Sequence, residues 1–337
     1  MSETTIEVTD AALAKTAYKR CETAPKRASS AGQVFWSAPT PPELSKLPNV
    51  VSLTCYGKVT NDAAVSLLAQ AAAHPHLQRL AVIHAPLSVI PDEIAALTRL
   101  YRLRFEQDAI TRVPEAIGGA SRLVLLDLSN NPLAHVDPAI TSLRDLRTLR
   151  VGGSAYAVAP LTTLPVSSSV TTLSLQWAPA LRTSLTSWPA LRALALHGDV
   201  GPSGMPPELE ALTELRSLAL AYDRRSSLPE TVRRLRSLRA LWLPYSAFTS
   251  LPAWLTELTE LRALALHGAK QLDPLHIVDT ALRLPRLARI ELPYPFPADA
   301  RGRLRKAGFV SRTSNPSVLD RPVGTEAPEI DPFPEIR

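Results

Sequence analysis

Histidine, cysteine and the carboxylates are the side chains through which this chain could do chemistry, and it holds seven, two and 31 of them. His197 and His267 take the same slot in two identical octets, LRALALHG at 191–198 and again at 261–268. LRSLALAY (215–222) and LRALWLPY (238–245) lie between them. If each octet is a strand, the two imidazoles stand roughly 14–15 Å apart, at 4.7–4.9 Å per strand. That is too far to share a metal ion. His74 and His76 form a His-Pro-His turn with no third ligand in view, which falls short of a zinc site. Cys55 falls in a core-facing strand slot and reads as a buried structural thiol. Cys21, beside Lys19 and Arg20, has no histidine near it to act as a base. The sequence contains no phosphate-binding glycine loop, no G-x-S-x-G elbow and no H-E-x-x-H helix. No enzyme, cofactor or metal is expected.

The composition points the same way. Apolar residues make up 45% of the chain but aromatics only 5%, so the core is expected to be leucine and alanine. Two cysteines are too few for a disulfide framework, which favours a reducing compartment. The opening MSETTIEVTD is polar and acidic, unlike a signal peptide, and no apolar run approaches the roughly 18 residues of a membrane span. The expected location is the cytoplasm, or a host cytoplasm reached without a cleavable signal peptide. The formal charge of +6 comes mostly from arginine and permits an anionic partner without requiring one.

The octets belong to a ladder. Its first apolar residues are Leu77, Leu100, Leu123, Leu146, Val170, Leu191, Leu215, Leu238, Leu261 and Leu287, mostly 23 residues apart, with a degenerate copy from Val50. Each copy begins L-x-x-L-x-L, whose period of two predicts a strand with one buried face. It continues I/L-P-x-x-I/L-x-x-L, whose spacing of three predicts one or two helical turns. Pro91, Pro114, Pro229 and Pro252 sit at that junction, where the first helical position suits proline. One unit cannot bury its apolar stripe alone, but stacked units can.

This pattern resembles the leucine-rich-repeat family over about residues 50–295. The resemblance implies an α/β fold: a curved solenoid with a parallel sheet on the concave face and short helices or turns on the convex one. The organisation is then a flank and cap at 1–46, about ten to eleven repeats at 47–295, and a capping helix with a proline-rich tail at 296–337. Within the flanks, a short helix is predicted near 10–24. Val34, Phe35 and Trp36 are expected to cover the first repeat, and residues 299–306 to cap the last. The segment from Val310 is expected to be extended or disordered. The inward asparagine of the family survives as Asn131 and is replaced by Asp108, Asp223, Ser246, Ala85 or Ala269 elsewhere. The stretch 151–169 loses the helical signature, so an irregularity is expected there.

Repeats of this kind also resemble those of bacterial effectors injected into host cells, among them the XopL-like and IpaH-like groups, which join a solenoid to a ubiquitin-ligase domain. About 40 residues follow the last repeat here, which is expected to be too few for such a domain. The substrate-recognition part of a ubiquitin ligase and a bacterial immunity or scaffold protein are the alternatives to a stand-alone protein-binding module.

Positions three, five and seven of each unit, with eight at the strand exit, should line the concave face. The amino-terminal half offers Arg79, Arg102, Arg104 and Arg150 among Glu106 and Asp127. The carboxy-terminal half is mostly alanine, from which Trp242, His197 and His267 should rise. Trp177, Tyr222, Tyr245 and Tyr294 stand at its exits. Tryptophan, tyrosine and arginine dominate interface energetics, so a protein partner is expected on a monomeric chain. Nucleic acid is disfavoured, because the arginine-bearing half lacks aromatic platforms. On the premise that Trp242 is exposed, Trp242→Ala should weaken partner binding and leave the melting temperature nearly unchanged. Arg102→Glu with Arg104→Glu should do the same, with calorimetry and a binding assay as the check.

Overall fold

The computed structural model describes residues 27–28, 33–36, 42–57, 59–152, 161–176, 184–197, 207–311 and 315–321. They fall into two compact units, one up to Val170 and one from Thr171 onward.

In the first unit the period-two octets become strands. β1 (Arg27–Ala28), β2 (Gln33–Trp36), β3 (Ser52–Tyr56), β4 (Arg79–Ile83) and β5 (Arg102–Glu106) come first. The two-residue β6 (Arg112–Val113) and β8 (His135–Val136) bracket β7 (Leu125–Ser129), and β9 (Thr148–Gly152) follows. The sheet order is β1-β2-β3-β4-β5-β7-β9, parallel from β2 onward, while β6 and β8 pair in a small second ladder. Register is set by the repeat itself. Leu53, Leu80, Leu103, Leu126 and Leu149 lie side by side at position four, all buried. A slip of one residue would send every one of them to the other face. Val34, Phe35 and Trp36 extend the sheet as a strand beside β3, with Val34 in the core and Phe35 exposed.

The second unit repeats the scheme. β10 (Thr172–Gln176), β11 (Ala193–His197), β12 (Ser217–Ala221), β13 (Ala240–Trp242), β14 (Ala263–Ala265) and β15 (Arg289–Glu291) are parallel neighbours. β17 (Val318–Asp320) pairs antiparallel with β15, and β16 (Val310–Ser311) pairs antiparallel with β17 at the edge. The segment from Val310 is therefore partly built into the sheet, while 322–337 lies outside the described residues. So does the predicted helix at 10–24.

The second half of each 23-residue unit is a 3-10 segment, such as Asp92–Ala96, Glu115–Gly119, Glu230–Arg234 and Ala253–Glu257. Apolar residues three apart stack on one side of a three-residue turn, which is why the shorter helix suffices. The prolines do not take the first helical position. Pro91, Pro114, Pro229 and Pro252 are N-caps with extended ψ of 141° to 162°, one residue earlier than predicted. Where a unit is a few residues longer, a true α-helix forms: α1 (Asn61–Ala73) after β3 and α2 (Pro274–Arg283) after β14. α3 (Ala298–Lys306) packs on α2. The described parts of 151–169, residues 151–152 and 161–169, carry no helical segment. Each unit is thus an α/β leucine-rich-repeat solenoid, with leucines buried between a parallel sheet and a layer of short helical segments.

Asn131 holds two successive turns together. Its Oδ1 accepts from the Asp108 and Ile110 N–H groups, and its Nδ2 donates to the Phe105 and Leu128 carbonyls at 2.7 and 3.1 Å. Asp108 occupies the same slot one repeat earlier and does half of this. Its Oδ1 accepts from Ala85 N–H at 2.6 Å, but its other oxygen is buried without a partner. Burial pushes this carboxyl up to about 8, opposed by the Ala85 bond and helped by the nearby Glu106. A folded pKa raised this far makes stability highest below the unfolded value near 4, falling as pH rises toward 8. Asp108→Asn, which can donate as Asn131 does, should therefore stabilise the chain increasingly from pH 5 to pH 8 in urea unfolding. A gain that is the same at every pH would contradict it.

Candidate functional site

On the open face of the first unit the arginines are not presented freely. Asp127, at position five of β7, is buried beside Arg150 at 3.4 Å and Arg104 at 3.5 Å, and Arg104 also pairs with Glu106. For the Arg104 guanidinium, burial favours the neutral form, but Glu106 and Asp127 outweigh it and the pKa is raised. Arg104 and Arg150 therefore serve an internal ion network, while Arg79 is half-buried and Arg102 exposed at position three of neighbouring strands.

The second unit differs. Position five of its six parallel strands reads Ser174, Ala195, Ala219, Trp242, Ala265 and Glu291 in register. Trp242 does not rise into solvent as expected. It is only 5% exposed and packs among Ala193, Ala195, Ala219, Ala240, Ala263 and Ala265, none above 5%. Small neighbours let the large ring lie down in the sheet's own surface, which the one-dimensional pattern could not reveal. Trp242→Ala would remove a buried aromatic at a cost of about 3–5 kcal/mol, so the expectation of an unchanged melting temperature does not hold. The indole N–H of Trp242 is buried and has no acceptor.

The exposed aromatics stand at the strand exits. Tyr222 and Tyr245 are 55% and 41% exposed, and their rings stack 5.1 Å apart, within 5° of parallel. The Tyr245 ring meets His267 edge-on at 5.0 Å, and its hydroxyl lies 2.8 Å from His267 Nε2. His267 Nδ1 in turn approaches the buried Glu291 at 3.8 Å. Burial and the neighbouring Tyr245 both raise the Tyr222 phenol. Tyr294 is 70% exposed at the last exit. His197 stands apart from this group, bonded to Ser174 Oγ at 2.8 Å. Trp177 lies outside the described residues.

The backbone under those tyrosines is unusual. At position eight, Gly57, His84, Gln107, Asn130, Tyr222, Tyr245 and Gly268 all have φ between +53° and +70°. The repeat demands a left-handed residue there, which suits glycine and asparagine. The glycines and Asn130 at this slot are the signal by which the sequence discloses the turn. Tyr222 and Tyr245 hold the conformation against a backbone preference of roughly 1–2 kcal/mol each, and such outliers gather at functional sites.

The other candidates for chemistry resolve into structure. His74 Nε2 donates to the Leu47 carbonyl at 3.0 Å while Nδ1 accepts from Leu77 N–H at 3.0 Å, closing a turn. Cys55 is buried, and burial pushes its thiol up to about 12, the wrong direction for a nucleophile. Cys21 lies outside the described residues. Among the described residues no three metal-ligating side chains come together, and no helix is long and apolar enough to cross a membrane.

Neither a protein-family model nor a curated protein matches the sequence. Among solved structures the chain is similar to a leucine-rich-repeat protein of Leptospira interrogans, at 18% identity and a TM-score of 0.32, covering 83% of this chain and 98% of that one. It is also similar to the functional domain of InlJ from Listeria monocytogenes, at 16% identity and 0.40, covering 68% of this chain and 48% of that one. A third likeness is to TLR13 in complex with ssRNA13, at 18% identity and 0.41, covering 68% of this chain and 40% of that one. At these identities and scores the likenesses say nothing about a partner.

Gly268 provides a control for the tyrosine ladder. A Cβ there would lie 2.4 Å from Tyr245 Cδ1, so Gly268→Ala must dislodge the ring as well as strain a φ of +69°. Tyr222→Gly instead relieves strain while losing a stacking worth about 0.5–1.5 kcal/mol. Chemical unfolding should find Tyr222→Gly within about 1 kcal/mol of the parent and Gly268→Ala destabilised by more than that. The reverse order would show that the left-handed tyrosines carry no strain.

Proposed function

We propose that the chain is a protein-binding module whose contact surface is the edge of the second unit formed by Tyr222, Tyr245, His267 and Tyr294. The observation that carries this reading is the pair of exposed, stacked tyrosines held in left-handed backbone where the repeat favours glycine. Folding gains little from placing them there, whereas rigid amphipathic rings with few rotatable bonds suit an interface. The internal pairing of Arg104 and Arg150 supports protein over nucleic acid, since phosphate binding needs unneutralised cations. The resemblance of the repeats to those of injected bacterial effectors supports a host protein, met in the host cytoplasm, as the partner.

Display of random peptides against the immobilised full chain tests the reading. Sequences enriched on the parent should be lost, by at least about tenfold or 1.4 kcal/mol, on a Tyr222→Gly/Tyr245→Gly chain that unfolds at a similar denaturant concentration. Equal enrichment on both would place the contact surface elsewhere.

A further inference from the structure

A row of like charges crosses the second unit at the edge where its strands begin. Position two of four successive repeats is arginine: Arg192, Arg216, Arg239 and Arg262. The backbone ties them into one chain. The Arg216 N–H donates to the Arg192 carbonyl, Arg239 to Arg216 and Arg262 to Arg239, each at 2.7 Å. The guanidiniums are therefore rooted one ladder spacing apart, roughly 14–15 Å from first to last at 4.7–4.9 Å per strand. In the first unit the same position holds Gln78, Tyr101, Val124 and Arg147, so the row belongs to the second unit alone.

No acid settles these charges. Elsewhere in the unit Arg225 meets Asp223, Arg233 meets Glu257 and Arg289 meets Asp320. Glu260 lies two residues before Arg262 in sequence but turns to Arg286 instead. Among the described residues none of the four row arginines pairs with a carboxylate. Arg192 Nη1 donates to the Leu191 carbonyl at 2.9 Å, Arg216 is exposed, and Arg239 and Arg262 are half-buried. Like charges on neighbouring strands repel, and an anionic partner would relieve that repulsion.

We propose that this strand-entry edge is a second contact surface, separate from the tyrosine edge, and that it takes the acidic face of a protein helix lying across the strands. Spacing selects the helix. Carboxylates at i, i+3, i+7 and i+10 share one helix face and span roughly 15 Å at 1.5 Å per residue, the length of the arginine row. On an extended strand, same-face residues recur about every 6.6 Å, and four of them span roughly 20 Å. Each guanidinium can hold a carboxylate through two parallel N–H donors. A single-stranded nucleic acid also carries a row of anions, but its bases stack on aromatic platforms. The exposed Tyr222, Tyr245 and Tyr294 stand at the opposite, exit edge.

The test uses the full chain and a fluorescein-labelled, lactam-stapled alanine helix bearing glutamates at i, i+3, i+7 and i+10. A second stapled helix has the same composition with its glutamates spread around the axis, and oligo-uridylate is a third probe. Anisotropy should show the one-faced helix binding at least about tenfold more tightly than the spread one, and weakening as salt rises. The Arg216→Glu/Arg239→Glu chain, with its denaturant midpoint unchanged, should lose at least about tenfold. The Arg216→Gln/Arg239→Gln chain replaces it if the glutamates disturb folding. Equal binding of the two helices, tighter binding of oligo-uridylate, or undiminished binding by the arginine variants would overturn the proposal. Loss of helix binding on the Tyr222→Gly/Tyr245→Gly chain would move the peptide to the tyrosine edge and overturn it equally. Failure of the arginine edge alone would leave the proposed function standing.

Discussion

The described repeats that begin at Val50, Leu77, Leu100, Leu123, Leu215, Leu238 and Leu261 leave their strands through one residue in the left-handed region. That reversal starts the backbone's return to the outer layer. The constraint fixes the register of the leucines, since the turn sits at the same offset from each of them. It also aligns the position-eight side chains along a single edge of the sheet. Glycine and asparagine meet the demand at little cost, and the solenoid could be built from them alone. Where tyrosine meets it instead, the ring is presented on a stiff backbone next to its counterpart in the following repeat. Tyr222, Tyr245 and the edge-on His267 are the outcome.

The two units use the same scaffold for different purposes. In the first, the open face carries charge that is largely settled internally, with Asp127 buried between Arg104 and Arg150. Such a network is demanding, because removing one partner leaves the others buried and unpaired. In the second, alanine replaces charge, and the large Trp242 ring fits because its cross-strand neighbours Ala219 and Ala265 are small. Alternation of large and small residues across strands is how a sheet surface accepts a tryptophan without a core beneath it.

Period-two leucines and the 23-residue ladder made the strands, their parallel order and the buried row legible in the sequence, because repetition averages over local ambiguity. Boundaries were less legible. The prolines act as caps one residue earlier than predicted, since three-apart spacing does not separate a 3-10 turn from the start of an α-helix. Asp108 looked like a substitute for the inward asparagine, but its missing donor leaves a buried oxygen unpaired and its acid raised. Positions three, five and seven were read as one face, whereas exposure on that face was not legible, because it depends on the size of side chains one or two repeats away in sequence. The left-handed slot was legible in Gly57, Gly268 and Asn130, and only their shared offset from the leucines discloses it.

The central claim is that the tyrosine edge of the second unit forms the contact surface. Hydroxyl-radical footprinting of the full chain, with and without a peptide selected by display, tests it most directly. The expected result is that Tyr222, Tyr245 and Tyr294 are labelled in the free chain and protected by the peptide, with Tyr101 and the outer 3-10 segments unchanged. Protection confined to the first unit or to the outer layer, with the three tyrosines labelled equally in both states, would contradict it.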